Sequence, residues 1–323
     1  MDIARIEAAA ARLKGHVRRT PLLSSPALDA IAGRRVLVKA ECLQHTGSFK
    51  ARGGWAALSA LPEETRANGV IAFSSGNHAQ GVARAAQAFG VPAVIIMPSD
   101  APALKIEGTR ALGAEVVLYD RAGENREALG ARLAADRGLT LVKPYDEPEV
   151  IAGQATCGLE IVEQAAEEGV SEADLLTCCG GGGLTAGIAL AVEAKAPGLR
   201  VRPVEPEGYD DTARSLAAGR RLRNEVQAGG LCDAILTPTP GEITFPVIAR
   251  LCGPGLVVSE AEVLRSMALA ARHLKIVAEP GGVVALAAAL FRGDEIEGDA
   301  VICTVSGGNA DPQVLARAMA LEV

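Results

Sequence analysis

Apolar positions along the chain fall into short runs separated by longer segments of helical period. The runs at 35–40 (RVLVKA), 70–73, 91–97 (VPAVIIM), 115–119, 139–142, 174–178 (DLLTC), 200–204 and 300–305 (AVICTV) read as strands. A continuous apolar run such as 91–97 marks a strand covered on both faces. Between them, 78–89, 103–112, 125–137, 150–166, 184–194, 211–218, 260–273 and 282–291 carry helical spacing, and the N-terminal segment is an amphipathic helix with charges inside it. This alternation predicts an α/β chain of mostly parallel sheets covered by helices, with right-handed crossovers. Residues 70–146 read as a small βαβαβαβ domain, and 1–69 with 147–323 as a large one. Glycine-rich turns follow several strands directly, at the carboxyl edge where such sheets bind ligands.

Composition narrows the choice. The 323 residues suit two domains at ~150 residues each, and 49% hydrophobic content excludes a disordered chain. Lys plus Arg total 32 against 39 Asp plus Glu, a formal net charge of −7, which argues against a nucleic-acid platform. It leaves small anionic ligands open, because backbone N–H groups and helix starts can bind them. The seven cysteines include no C-x-x-C pair, so neither structural zinc nor a disulfide framework is expected. No apolar run resembles a secretory signal or reaches the ~20 residues of a membrane span. The expectation is a cytoplasmic protein without a membrane or nucleic-acid partner.

Four short motifs carry chemistry. Cys179-Gly180-Gly181-Gly182-Gly183-Leu184 stands between an apolar strand and a small-residue helix. Consecutive glycines let N–H groups converge, and the helix start adds a favourable dipole, so this is a phosphate cradle. It is not a Walker loop, since no Gly-Lys-Ser/Thr follows. Thr46-Gly47-Ser48-Phe49-Lys50-Ala51-Arg52-Gly53 sets a lysine among small and apolar residues. In an apolar pocket such a lysine has a lowered pKa and can form a Schiff base; on a surface it is ordinary. Ser74-Ser75-Gly76-Asn77-His78 and Ser306-Gly307-Gly308-Asn309 each follow a strand.

Together, in this order, the four motifs resemble the fold type II pyridoxal 5′-phosphate (PLP) enzymes, the tryptophan synthase β-like fold. Within them the chain is most similar to the threonine/serine dehydratase and serine racemase group, including hydroxyaspartate dehydratases. The likeness runs from Arg18-Arg19-Thr20-Pro21-Leu22 to Ser306-Gly307-Gly308-Asn309-Ala310-Asp311. It implies that Lys50 holds PLP and later moves the Cα proton, with Phe49 near the ring. It implies that Asn77 bonds the ring hydroxyl, that Gly180, Gly181, Gly182, Gly183 and Leu184 bind the phosphate, and that Glu279 lies near the ring. Ser306 would face the pyridine nitrogen. A neutral hydroxyl there makes the ring a weaker electron sink, which favours expelling a β-leaving group over transamination. The implied reaction removes water from an L-β-hydroxy-α-amino acid and yields a 2-oxo acid and ammonia.

Ser74, Ser75, Gly76, Asn77 and His78 would form the substrate carboxylate site. Ser75 matches the opposite-face acid/base of serine racemases, so it is either a second catalytic group with a racemase alternative or a carboxylate ligand. Glu205, Tyr209 and Asp211 resemble the family's divalent-cation site, for Mg²⁺ or Ca²⁺; the other reading is a helix N-cap at Asp210 or Asp211. Arg126 is either a contact for a second substrate carboxylate, as in β-hydroxyaspartate, or a solvated helix arginine. Lys143 and Tyr145 depart from the family's usual His-Pro at that strand end. A homodimer or homotetramer is the implied assembly. Two rivals keep the fold but not the chemistry: an amino-acid-binding regulator, and a nucleotide-binding enzyme with Glu205 on a ribose.

Overall fold

The structure is a computed structural model and describes residues 2–74, 76–101, 103–120, 123–225 and 229–322. Among these, ten strands form two sheets: β1 (Leu22–Leu23), β2 (Arg35–Ala40), β3 (Val70–Phe73), β4 (Ala93–Pro98), β5 (Glu115–Tyr119), β6 (Thr140–Leu141), β7 (Ala173–Cys178), β8 (Leu199–Pro206), β9 (Leu256–Val258) and β10 (Ala300–Val305). The larger sheet runs β1-β2-β10-β7-β8-β9, with only the β1–β2 pair antiparallel. The smaller sheet, β5-β4-β3-β6, is parallel throughout. Every residue of β7 is buried, as helices cover both faces. This is the mixed α/β architecture of mostly parallel sheets that the sequence pattern predicts.

Three elements differ from the sequence pattern for local reasons. The apolar run at 91–97 pairs only from Ala93, because Pro92 has no N–H to give and offers its carbonyl to Val70 instead. The run at 139–142 pairs only at Thr140 and Leu141; Val142 turns its carbonyl to the His78 ring, 2.9 Å away. The 260–273 segment is an α-helix only over Glu260–Leu269, opened by a Ser259/Glu262 capping box. It then widens into a π turn over Ala270–Leu274, closed by Lys275 in the left-handed region.

One helix, Lys50–Ala60, has no clear signal in the sequence, because Gly53 and Gly54 are poor helix formers. Packing decides it. Residues 51–58 are all buried, and the helix touches the Asn77–Phe89 helix backbone to backbone. A Cβ on Gly54 would meet the Gly81 carbonyl at 2.6 Å, and one on Gly81 would meet the Lys50 carbonyl at 2.7 Å. Trp55 joins the same cluster as the small sheet's Val70, Ala72 and Ile95.

Charges are buried beneath this helix. The Arg52 guanidinium donates to Glu41 at 2.7 and 2.8 Å and to Glu160 at 2.7 and 2.8 Å. Lys39 bonds Glu160, Gln164 and the Thr20 carbonyl. Arg52, Glu41 and Lys39 are fully buried. Two positive and two negative groups satisfy one another, which is what makes such burial tolerable. Among the described residues, no helix is long and apolar enough to cross a membrane.

Candidate active site

The site forms where the carboxyl ends of β7 and β10 face the start of the small sheet's first helix. The 45–49 loop is zipped onto the loop after β10: Ser48 bridges Gly307, the Phe49 N–H donates to the Ser306 carbonyl at 3.1 Å, and the Gly308 N–H to the Gly47 carbonyl at 2.8 Å. This fixes Lys50 at the first turn of its helix. A cavity of about 210 Å³ lies there.

Lys50 reaches into it. Its ammonium donates to the Pro144 carbonyl at 2.6 Å and lies 5.2 Å from the Phe49 ring centre. Burial pulls its pKa down to about 8, so a reactive neutral amine is accessible near physiological pH. Among the described residues no carboxylate pairs with it.

The tetraglycine forms one wall. The Gly181 carbonyl accepts from the Thr244 hydroxyl at 2.7 Å and from the Gly241 N–H at 3.2 Å, and Gly182 has φ +90°. The Gly183–Lys195 helix makes its first i→i−4 bond from Ala186 to the Gly182 carbonyl. The N–H groups just before Ala186 therefore have no partner within the helix. The Tyr145 ring lies against the loop: a Cβ on Gly181 would fall 2.3 Å from it.

Opposite, the Asn77 amide donates to Glu279 at 2.6 Å and accepts from Asn309 at 2.6 Å. Glu279 is raised to about 7 by burial; the Asn77 bond pulls it down and the Asp233 charge pushes it up. His78 is lowered to about 3 by burial and the Lys50 charge, so the ring is neutral and holds the Val142 carbonyl. The Ser74 hydroxyl accepts from the Gly76 N–H at 3.1 Å.

Phe49, Lys50, Ser74, Gly76, Asn77, His78, Gly180 to Leu184, Glu279 and Ser306 all line this one cavity. Ser75 lies outside the described residues. Arg126 is absent from the cavity lining; it opens the Arg126–Arg137 helix, and its guanidinium, half-exposed, pairs with Glu127 at 2.8 Å. Lys105 and Asp233, which sequence reasoning did not single out, do line it. Nothing local marks them: Lys105 sits in an ordinary amphipathic helix, and only the approach of two distant segments brings the pair together.

Glu205, Tyr209 and Asp211 lie behind the glycine loop, linked to it by a Cys179 thiol to Thr212 hydroxyl contact at 3.6 Å. Glu205 accepts the Thr212 and Ala213 N–H groups at 3.0 and 2.8 Å, so it, and not Asp210, caps the Asp211–Ala218 helix. Asp211 accepts from Asn224 through one oxygen, while Oδ2 is buried with no hydrogen-bond partner. Burial raises Glu205 well above the carboxylate range, helped by the Asp211 charge, and raises Asp211 to about 6. Two buried carboxylates and one orphan oxygen are short of positive charge, which fits a hard cation. Among the described residues no group of three or more His, Cys, Asp or Glu side chains is placed to hold a metal ion.

A buried amine without a counter-ion, a backbone anion cradle and a neutral serine around one cavity fit PLP. The family model described as "Pyridoxal-phosphate dependent enzyme" matches residues 13–308. The chain belongs to this family. Among its relatives is an L-threo-3-hydroxyaspartate ammonia-lyase from Pseudomonas sp, 44% identical over 94% of this chain and 93% of that protein. A solved threonine deaminase from T.th. superposes with a TM-score of 0.90 at 45% identity, covering 96% of this chain and 99% of that one. Maize serine racemase superposes with a TM-score of 0.91 at 36% identity, covering 98% and 96%. With relatives at this identity and coverage named ammonia-lyases, the chain is a PLP-dependent lyase.

Proposed function

We propose that this chain eliminates water from an L-β-hydroxy-α-amino acid, preferring β-hydroxyaspartate over threonine and serine, and releases a 2-oxo acid and ammonia. The observation that carries the elimination is Lys50, a buried amine with pKa near 8 that shares one cavity with the glycine cradle and Ser306, and the preference rests on the relatives named L-threo-3-hydroxyaspartate ammonia-lyase. When bound, PLP supplies the electron sink that loosens the Cα proton and the β-substituent.

The chain's residues do the rest. The N–H groups of Gly180 to Leu184 hold the phosphate. Lys50 holds the cofactor and takes the Cα proton. Ser306 would meet the pyridine nitrogen as a neutral partner, which would favour elimination. Asn77 would bond the ring hydroxyl, and Phe49 and Glu279 would lie beside the ring. Ser74, Gly76 and His78, at a helix start, accept the substrate's α-carboxylate. Ser75 is the second proton-transfer group in the racemase alternative. Glu205, Asp211 and the Tyr209 carbonyl hold Mg²⁺ or Ca²⁺ as a structural brace behind the cradle. Family breadth supports a homodimer or homotetramer.

The test is 2-oxo acid release by PLP-loaded protein on L-threonine, L-serine and each β-hydroxyaspartate diastereomer, with chiral analysis of remaining substrate. Release of oxaloacetate at the highest kcat/KM supports the reading. Racemisation without ammonia release would replace it with the racemase alternative.

A further inference from the structure

We infer that Lys105 is the specificity residue that receives the second carboxylate of the substrate, exchanging Asp233 for it; the inference rests on the hydroxyaspartate reading above. Among the described residues lining the reaction cavity, the ammonium groups are Lys50 and Lys105. Lys50 is committed to the cofactor, so Lys105 is the cation left for a substrate side chain.

A second cavity, about 490 Å³, adjoins the first. Gly76, Asn77, Lys105, Asp233 and Glu279 line both, so the Lys105–Asp233 pair stands at the passage between them. Lys105 comes from the Ala103–Ala111 helix beside the small sheet, and Asp233 from the Asp233–Ile235 turn of the larger unit. Their contact is 2.8 Å, with Lys105 27% and Asp233 61% exposed. A pair so open to water is held weakly. An incoming dicarboxylate can take Asp233's place, and inside the narrower cavity the charge-assisted bond it forms is the stronger of the two. A monocarboxylic β-hydroxy acid such as threonine has nothing to offer Lys105 and leaves the pair in place. The passage therefore sorts substrates by the charge of the β-carbon's far substituent.

The experiment uses PLP-loaded wild type, Lys105→Gln, Lys105→Arg, Asp233→Asn and Arg126→Gln. Two readouts are taken: the ratio of kcat/KM on β-hydroxyaspartate to that on threonine, and calorimetric binding of the unreactive dicarboxylate succinate. Lys105→Gln is expected to lower the ratio and weaken succinate by roughly one to two orders of magnitude, mainly through KM, with Lys105→Arg recovering most of it. Asp233→Asn is expected to move the other way, tightening succinate by about two- to fivefold, because it removes the competitor. A merely structural latch would move both variants in the same direction, which would overturn the inference. A Lys105→Gln enzyme that keeps the wild-type ratio overturns it while leaving the hydroxyaspartate reading intact; a collapse confined to Arg126→Gln assigns the contact there instead. If wild type releases no oxaloacetate from β-hydroxyaspartate, the substrate reading itself fails, and this inference with it.

Discussion

Replacing Arg52 by methionine keeps the length of the buried stem and removes its charge. Four hydrogen bonds to two carboxylates go with it. Glu160 is 15% exposed and keeps Lys39, so its loss is moderate. Glu41 is fully buried and keeps the Thr20 hydroxyl with Lys39's charge nearby, so the cost concentrates there. Removing one partner of a buried pair costs about 3–5 kcal/mol. At about 2 °C per kcal/mol for a chain of this size, Tm should fall by roughly 6–10 °C. The deficit should also depend on pH. Burial pushes the Glu41 carboxyl up, but Arg52 and Lys39 hold it below its ordinary 4.5. That stability is present above pH 4.5 and is lost as pH falls through the lowered folded value. In the variant burial prevails, the folded pKa rises above the unfolded one, and the penalty grows as pH rises. The gap between wild type and variant should therefore be widest near about pH 7 and narrow toward about pH 5. Thermal melts at both pH values measure it, and adding Glu41→Gln to Arg52→Met should recover part of the loss. A gap under about 1 kcal/mol, or one independent of pH, would refute the reasoning.

Three further outcomes follow from the site. Gly181→Val should fold with unchanged circular dichroism but bind PLP at least about tenfold more weakly by absorbance titration, since its side chain would have to displace the Tyr145 ring from the loop. Glu279, raised by burial to about 7, makes the cofactor-free protein lose stability as pH climbs from 4.5 to 7; Glu279→Gln should flatten that slope in melts across the window. Mg²⁺ or Ca²⁺ at about 100 times Kd should stabilise wild type by about 2.7 kcal/mol, and Asp211→Ala should abolish the shift.

Much of the fold was legible because strands such as Val70–Phe73 and Ala93–Pro98 are apolar runs and most of the helices between strands have their own period. The Lys50–Ala60 helix was hidden, because Gly53, Gly54 and Gly81 are there for helix-to-helix approach, which a single segment does not reveal. The cavity wall was readable where backbone chemistry leaves a local mark, as in Gly180 to Gly183 and in Ser74 and Gly76 to His78. It was unreadable where function depends on two distant segments meeting. Lys105 and Asp233 lie 128 positions apart, and neither has a telling neighbour. Arg126 shows the converse: of its two readings, a second-carboxylate contact or a solvated helix arginine, the described contacts give the solvated one, paired with its neighbour Glu127. The capping residue at Asp211–Ala218 was sought at Asp210 or Asp211 and is Glu205, which reaches it only because β8 delivers its carboxylate to the helix start.

The central claim is that Lys50 is the residue that holds PLP. Borohydride reduction of the PLP-loaded protein, followed by proteolysis and mass spectrometry, tests it directly. The expected result is a single pyridoxyl adduct on the peptide carrying Lys50, absent in Lys50→Ala. An adduct on another lysine, or none, would contradict the account.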